Sequence, residues 1–227
     1  VAAFETFLTT AAAATHLDPE LIAAKVCGRW RSGEPLVLKP TSASPAVPDL
    51  ELNDFHYGSA DPTAPDPLGL KCPIGSHIRR SNPRDENVLM APDSGHLHRI
   101  VRRAMPYGPA YTGGGTPDGI ARGLVGFFIN VDLQNQFEFI MNSWIDTRTF
   151  LRSVPLGKNN PVFNITGTDV LLGSTPSAFY LTEAAQPKVN NVKVTVPERF
   201  ITTKGGAYCY LPSITALAYL SNLTPGA

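Results

Sequence analysis

The chain has 227 residues, 43% hydrophobic and 17% charged, with 19 basic residues against 19 acidic ones. That length can bury one large core or two small ones, and the balanced charge gives no overall pull toward nucleic acid or an anionic membrane. No apolar run approaches the ~20 residues needed to cross a bilayer, and 21 prolines with 19 glycines predict a loop-rich fold.

In chain order, residues 2–14 and 19–27 are Ala-rich with apolar residues near helical spacing, and Asp18 before Pro19 forms an N-cap and N1 pair. From about 28 to 70, prolines, aspartates and serines remove any period, and a stretch of that length is usually functional. Residues 96–108 hold a short strand-like core stopped by Pro106 and Gly108, followed by a glycine-rich loop. Residues 124–131 form an apolar run of strand length. Leu133, Phe137, Ile140, Met141 and Trp144 then recur at helical spacing over 133–145. A second irregular region is expected over roughly 151–205, then a strand at 207–211 and a helix at 213–223 capped by Ser213. This order predicts an α+β sheet with helices on one face.

Cys27, Cys72 and Cys209 are odd in number and far apart, so packing is the expected role of all three. The sequons at Asn164 and Asn222 are acceptors only in a secreted chain. The start at Val1, straight into a helical pattern, reads as a piece of something longer.

The stretch "CPIGSHIRRSNPRD" (72–85) places one histidine among arginines. From Lys71 to Arg103 the basic residues Lys71, Arg79, Arg80, Arg84, Arg99, Arg102 and Arg103 outnumber Asp85, Glu86 and Asp93. Such a cluster is a solvated face or a site for a carboxylate or phosphate ligand. A nucleic-acid groove is disfavoured because aromatics do not interleave with the basic residues. A metal held by a single histidine needs its other ligands from elsewhere, which a porphyrin supplies, and haem propionates call for cations. His96 and His98 alternate but lack a carboxylate or cysteine partner for a metal site. Trp30 reads as a structural anchor, and His16 and His56 carry no signal.

Taken in order, "AAKVCGRWRSGEPL", "NDFHYGSAD", "CPIGSHIRRSNPRD", "HRIVRRAMPYG", "RGLVGFFINVDLQNQFEFI" and "KGGAYCYLPSITAL" resemble the dye-decolorizing peroxidases, especially the secreted fungal members. The resemblance runs from about residue 20 to 220 and is to the carboxy-terminal half only. It implies one ferredoxin-like half of a two-part dimeric α+β barrel, here a single haem-binding domain over 1–227. It implies haem b as cofactor, and hydrogen peroxide as the oxidant of bulky dyes and phenolic or other aromatic reductants through high-valent iron. By the same resemblance His77 matches the proximal iron ligand, Asp169 the acid that accepts its other imidazole proton, and Arg84 a propionate contact. Arg102 matches the distal arginine, and Phe127 and Ile129 match a distal leucine and phenylalanine, with large and small side chains exchanged. Tyr107 and Trp144 match surface electron-transfer positions, for which core packing is the competing reading.

"GTPDG" (115–119) fits the family signature G-x-x-D-G, but that signature lies upstream of the proximal histidine, so Asp118 reads as a turn residue. The acid–base aspartate therefore belongs to an amino-terminal half absent from this sequence. Three readings compete: one product of a nicked peroxidase paired with its amino-terminal partner, a free haem-binding fragment of feeble activity, and a non-catalytic binding protein.

Overall fold

The computed structural model describes residues 1–58, 66–85, 94–148, 150, 167–174, 178–185 and 188–223. Helices α1 (Ala2–Thr15) and α2 (Pro19–Cys27) form where the Ala-rich pattern predicts. His16 ends α1 in the left-handed conformation (φ 59°), and Gly28 ends α2 in the same way (φ 96°). The Asp18 carboxylate accepts the Glu20 N–H at 2.7 Å, with Pro19 at N1. Asp18→Ala is expected to cost about 1 kcal/mol of stability, read as a lower thermal midpoint; Asp18→Asn should retain most of it.

The two helices pack on an antiparallel hairpin, β3 (Ala178–Ala185) with β4 (Lys188–Thr195), paired from Ala178↔Thr195 to Ala185↔Lys188. Phe7, Leu8, Ile22, Val26, Phe179, Leu181 and Val194 share this core. The hairpin lies inside the region expected to be irregular over 151–205, which corrects that expectation. The driving force is burial of Phe179 and Leu181 against α1 and α2, residues far away in the chain, and local pattern does not report such packing. A second hairpin joins β1 (Val101–Tyr107) to β2 (Gly123–Ile129), both placed as the sequence predicts. Antiparallel strands with helices against a sheet establish the α+β class.

The irregular stretch after α2 builds a core of its own. Leu36, Val37, Phe55, Tyr57 and Cys72 bury against Ala24 of α2. Trp30 anchors it, donating from its indole to the Lys39 carbonyl at 2.7 Å. Cys72 is buried and Cys27 partly so, while Cys209 is exposed in this chain.

The predicted 133–145 helix forms with wider winding. Glu138 N–H bonds to Leu133 O at 2.9 Å and Asp146 N–H to Met141 O at 3.1 Å, both five residues apart. A step of roughly 100° per residue would turn Ile145 away from Ile140; the wider winding lets Ile140, Trp144 and Ile145 all bury, against Ile74 and Phe150. The His98 Nδ1–H donates to the Asn135 carbonyl at 2.5 Å, and its ring stacks on Phe139 at 3.8 Å.

Helix α4 (Ile214–Ser221) has the predicted Ser213 cap, which accepts the Ala216 N–H at 3.1 Å. Residues 207–211 form no strand: they pair with no ladder among the described residues, and an extended segment without one does not become a strand. No helix among the described residues is long and apolar enough to cross a membrane. The sequon at Asn164 lies outside the described residues; Asn222 sits at the α4 C-cap and donates to Ala218 O at 2.9 Å.

Candidate functional site

His77 opens the short helix α3 (His77–Ser81). Ser76 before it donates its hydroxyl to the Lys25 carbonyl, tying α3 to α2, and Asn82-Pro83 stops the helix. The last basic residue of the stretch, Arg84, takes a left-handed backbone (φ 59°), a conformation costing roughly 1–2 kcal/mol outside glycine. Its guanidinium offsets that cost: Nη1 donates to Asn53 O and Phe55 O, both at 3.0 Å, and the group lies 3.6 Å from the Phe55 ring centroid. Arg84 also feels the charges of Arg29 and Arg99. The Arg29 and Arg84 guanidiniums both reach the 52–55 loop, where each also lies near the Phe55 ring.

The neighbouring arginines of α3 point inward. Arg79 is fully buried on Asp66, and Arg80 is fully buried on main-chain carbonyls. Burial pushes the Arg80 guanidinium down to about 10, opposed by the Asp169 carboxylate, so it stays charged at neutral pH.

Asp169 reaches His77 across 92 positions of sequence, Oδ2 lying 3.1 Å from Nδ1. Asp169 is fully buried, while the His77 side chain keeps 16% of its surface exposed. Oδ1 accepts the N–H groups of Leu171 at 2.9 Å and Leu172 at 2.8 Å. Burial works to raise the Asp169 carboxyl, but the His77 ring, the Leu172 N–H and the Arg80 charge together hold it below the usual carboxylate range. An ionised carboxylate only accepts, so Nδ1 carries a proton toward Asp169, and in the neutral ring this tautomer puts the lone pair on Nε2. No three His, Cys, Asp or Glu side chains are grouped to hold a metal among the described residues. This donor set suits a metal that brings its own equatorial ligands, as porphyrin iron does.

No protein-family model matches the chain. It is 30% identical over 236 residues to Peroxidase 2 of Mycetinis scorodonius, covering 94% of this chain and 42% of that protein. It is 32% identical over 214 residues to the multifunctional dye peroxidase DyP2 of Amycolatopsis, covering 91% and 42%. In structure it superposes on Amycolatopsis DyP2 with TM-score 0.66 at 26% identity, covering 87% of this chain and 42% of that one. The Auricularia auricula-judae dye-decolorizing peroxidase gives TM-score 0.66 at 26% identity, covering 91% and 47%. The chain is a relative of the dye-decolorizing peroxidases. It spans about two-fifths of the length of the curated relatives it matches.

Within this dye-decolorizing peroxidase relative, the structure brings some of the expected residues together and separates others. His77 and Asp169 meet. Arg102 pairs across the hairpin with Phe128, and Arg103 with Phe127. Directly opposed residues of an antiparallel pair share a face, so Arg103 stands with Phe127 and Ile129, and Arg102 stands on the other face. Arg102 is close enough to the Cys27 thiol and the Arg29 guanidinium to act on both electrostatically. Phe127 and Ile129 are 59% and 54% exposed. Tyr107 is 49% exposed in this chain, at the end of β1. Trp144 is not at the surface: it is 2% exposed, packed between Ile140, Ile145 and Phe150, because the wide helix turns it inward. Asp118 accepts the Ile120 N–H at 3.1 Å and pairs with Arg122 at 2.6 Å, which holds it down to about 2. It closes a turn, as the sequence predicts.

Sequence reading missed Arg80. Its signal, a second arginine after the histidine, is hidden among basic residues that look alike until burial separates them.

Proposed function

We propose that this chain is the haem-holding, carboxy-terminal portion of a secreted dye-decolorizing peroxidase. The observation that carries the reading is His77, with its Nδ1 proton on a buried, ionised Asp169 and its Nε2 left to bind iron. Haem b supplies the iron centre at which hydrogen peroxide is reduced and from which dyes, phenols and other aromatic reductants are oxidised. Asp169 fixes the tautomer of His77 and strengthens it as a donor. Arg84, on the same loop and ring as Arg29, is suited to the propionates. Arg102 is the distal cation, and a permanent positive charge stabilises the negative charge that develops as peroxide is cleaved. Phe127 and Ile129 stand on the opposite face of the β1–β2 hairpin from Arg102 and so would not line the pocket beneath it, while Tyr107 is the surface position through which bulky reductants would be reached.

The partner is the amino-terminal half of the same peroxidase architecture, which supplies the acid–base aspartate. Supporting this, β1–β2 exposes Val101, Met105, Leu124, Val125, Phe127 and Ile129, and α4 exposes Ile214, Leu217, Tyr219 and Leu220. Apolar surface of this extent is rarely left open in water. A second reading is haem binding with feeble turnover by this chain unassisted: Asp118, a turn residue paired with Arg122, is no substitute for the acid–base aspartate.

Hemin titration followed by absorption spectroscopy, with and without the amino-terminal half, tests both. A Soret band in each case, with peroxide-dependent dye bleaching only when the halves are combined, is the expected result. A protein that stays colourless with hemin in both arms overturns the assignment.

A further inference from the structure

Arg80 occupies an unusual place for a cation. It is fully buried, and its guanidinium meets main-chain carbonyls alone among the contacts described: Gly75 at 3.3 Å, Trp144 at 2.5 Å, Thr147 at 3.1 Å, and Gly167. It also lies 5.2 Å from the Phe150 ring centroid. Trp144 and Thr147 stand at the carboxy-terminal end of the wide helix, where carbonyls lack partners inside the helix and the dipole favours a positive charge. The intervening carbonyl, Ile145 O, accepts the Asp169 N–H at 2.8 Å. Gly167 is two residues before Asp169 on the same segment. One helix end thus receives both the Arg80 side chain and the Asp169 main chain, while Arg80 grips the approach to Asp169 from the other side.

Arg80 is three residues after His77 on α3, so both belong to one rigid turn. We infer that Arg80 is a positioning residue for the His77–Asp169 pair: its guanidinium locks the Asp169 segment to the helix that carries His77, and so sets the hydrogen bond that tunes the proximal ligand. This deepens the haem reading and rests on it for the redox consequence. The geometric part concerns this chain alone. The Arg80–Gly167 and His77–Asp169 contacts both tie α3 to the 167–169 segment. A hydrogen bond from Nδ1 to a carboxylate makes the imidazole a stronger donor, and a stronger donor favours ferric over ferrous iron.

The test uses Arg80→Met, Arg80→Lys and Asp169→Asn with two readouts. The first, which needs no haem, is the slowly exchanging Nδ1 proton of His77 in nitrogen-15 spectra of the protein combined with its amino-terminal half. The second is the ferric/ferrous midpoint after hemin is added. Arg80→Met is expected to lose the protected proton and to raise the midpoint in the direction of Asp169→Asn, with no further rise in the double variant. If Arg80→Met does not fold, Arg80→Lys decides: it keeps the charge but cannot span the same carbonyls, so its proton exchanges faster and its midpoint still rises. Retention of the protected proton, or a midpoint equal to the parent's despite lowered thermal stability, overturns the inference and leaves Arg80 a packing residue. Additive shifts in the double variant do so as well. A protein that takes up no haem defeats the peroxidase reading instead, while the proton signal still decides the role of Arg80.

Discussion

His77→Ala is expected to abolish the Soret band that hemin produces with the parent protein, and free imidazole in the buffer should restore it in part. The substitution removes the imidazole whose Nε2 is left available, and no cluster of other ligands among the described residues can replace it. The added imidazole would fill the space left by the ring and donate to the same Asp169 oxygen. Asp169→Asn should behave differently. It keeps the ring but removes the negative acceptor, and loss of such an outer partner costs about 10–100-fold in affinity for the bound group. A His77→Ala protein with an unchanged spectrum would remove His77 as ligand, whatever the fate of the fold.

The second large effect is on stability. Arg79→Met is expected to destabilise the protein by about 3–5 kcal/mol, the usual cost of removing one partner from a buried ion pair. The parent guanidinium is fully buried; it donates to Cys72 O at 2.5 Å, to Asp66 O at 2.8 Å and to Asp66 Oδ2 at 3.3 Å, and lies 4.5 Å from the Tyr57 ring centroid. Asp66 in turn accepts the N–H groups of Leu70, Lys71 and Cys72, shaping the turn that leads into the His77 segment. Methionine fills much of the volume but leaves the carboxylate in the interior without its counter-charge. For a chain of this size the loss corresponds to a fall in melting temperature on the order of 10 °C, measurable by calorimetry. The double variant Arg79→Met/Asp66→Asn should recover part of it, because the uncompensated charge is then gone. A fall of under about 1 kcal/mol in Arg79→Met would show that the pair is not what holds the turn.

The two effects concern residues separated by a single position of one short helix. His77 binds Asp169 through Nδ1, and Arg79 and Arg80 anchor the same helix, each by a different set of acceptors. His77 is therefore held by a polar framework flanked by apolar clusters. Groups of this kind must be satisfied completely, because a buried donor left without an acceptor costs more than the bond it would have made is worth.

What the amino-acid order determines by itself is whatever depends on near neighbours. The Asp18-Pro19 start of α2, the Ser213 cap of α4, the β1 and β2 strands and the Asp118 turn are all local chemistry, and each forms where its residues predict. The histidine among arginines and its ordered companion motifs are equally legible, since they are strings of residues. Tertiary structure alone decides the rest, because burial and pairing depend on residues distant in the chain. It makes a hairpin of 178–195 by packing Phe179 and Leu181 under α1 and α2. It withholds strand structure from 207–211 for want of a partner, and it winds 134–145 widely enough to bury Trp144 with Ile145. It also places Arg102 and Phe127 on opposite faces of one hairpin, a consequence of register that neither strand carries alone. Of three arginines that look interchangeable in the sequence, burial and acceptor geometry give Arg79 to a carboxylate, Arg80 to a helix end, and Arg84 to a loop and an aromatic ring.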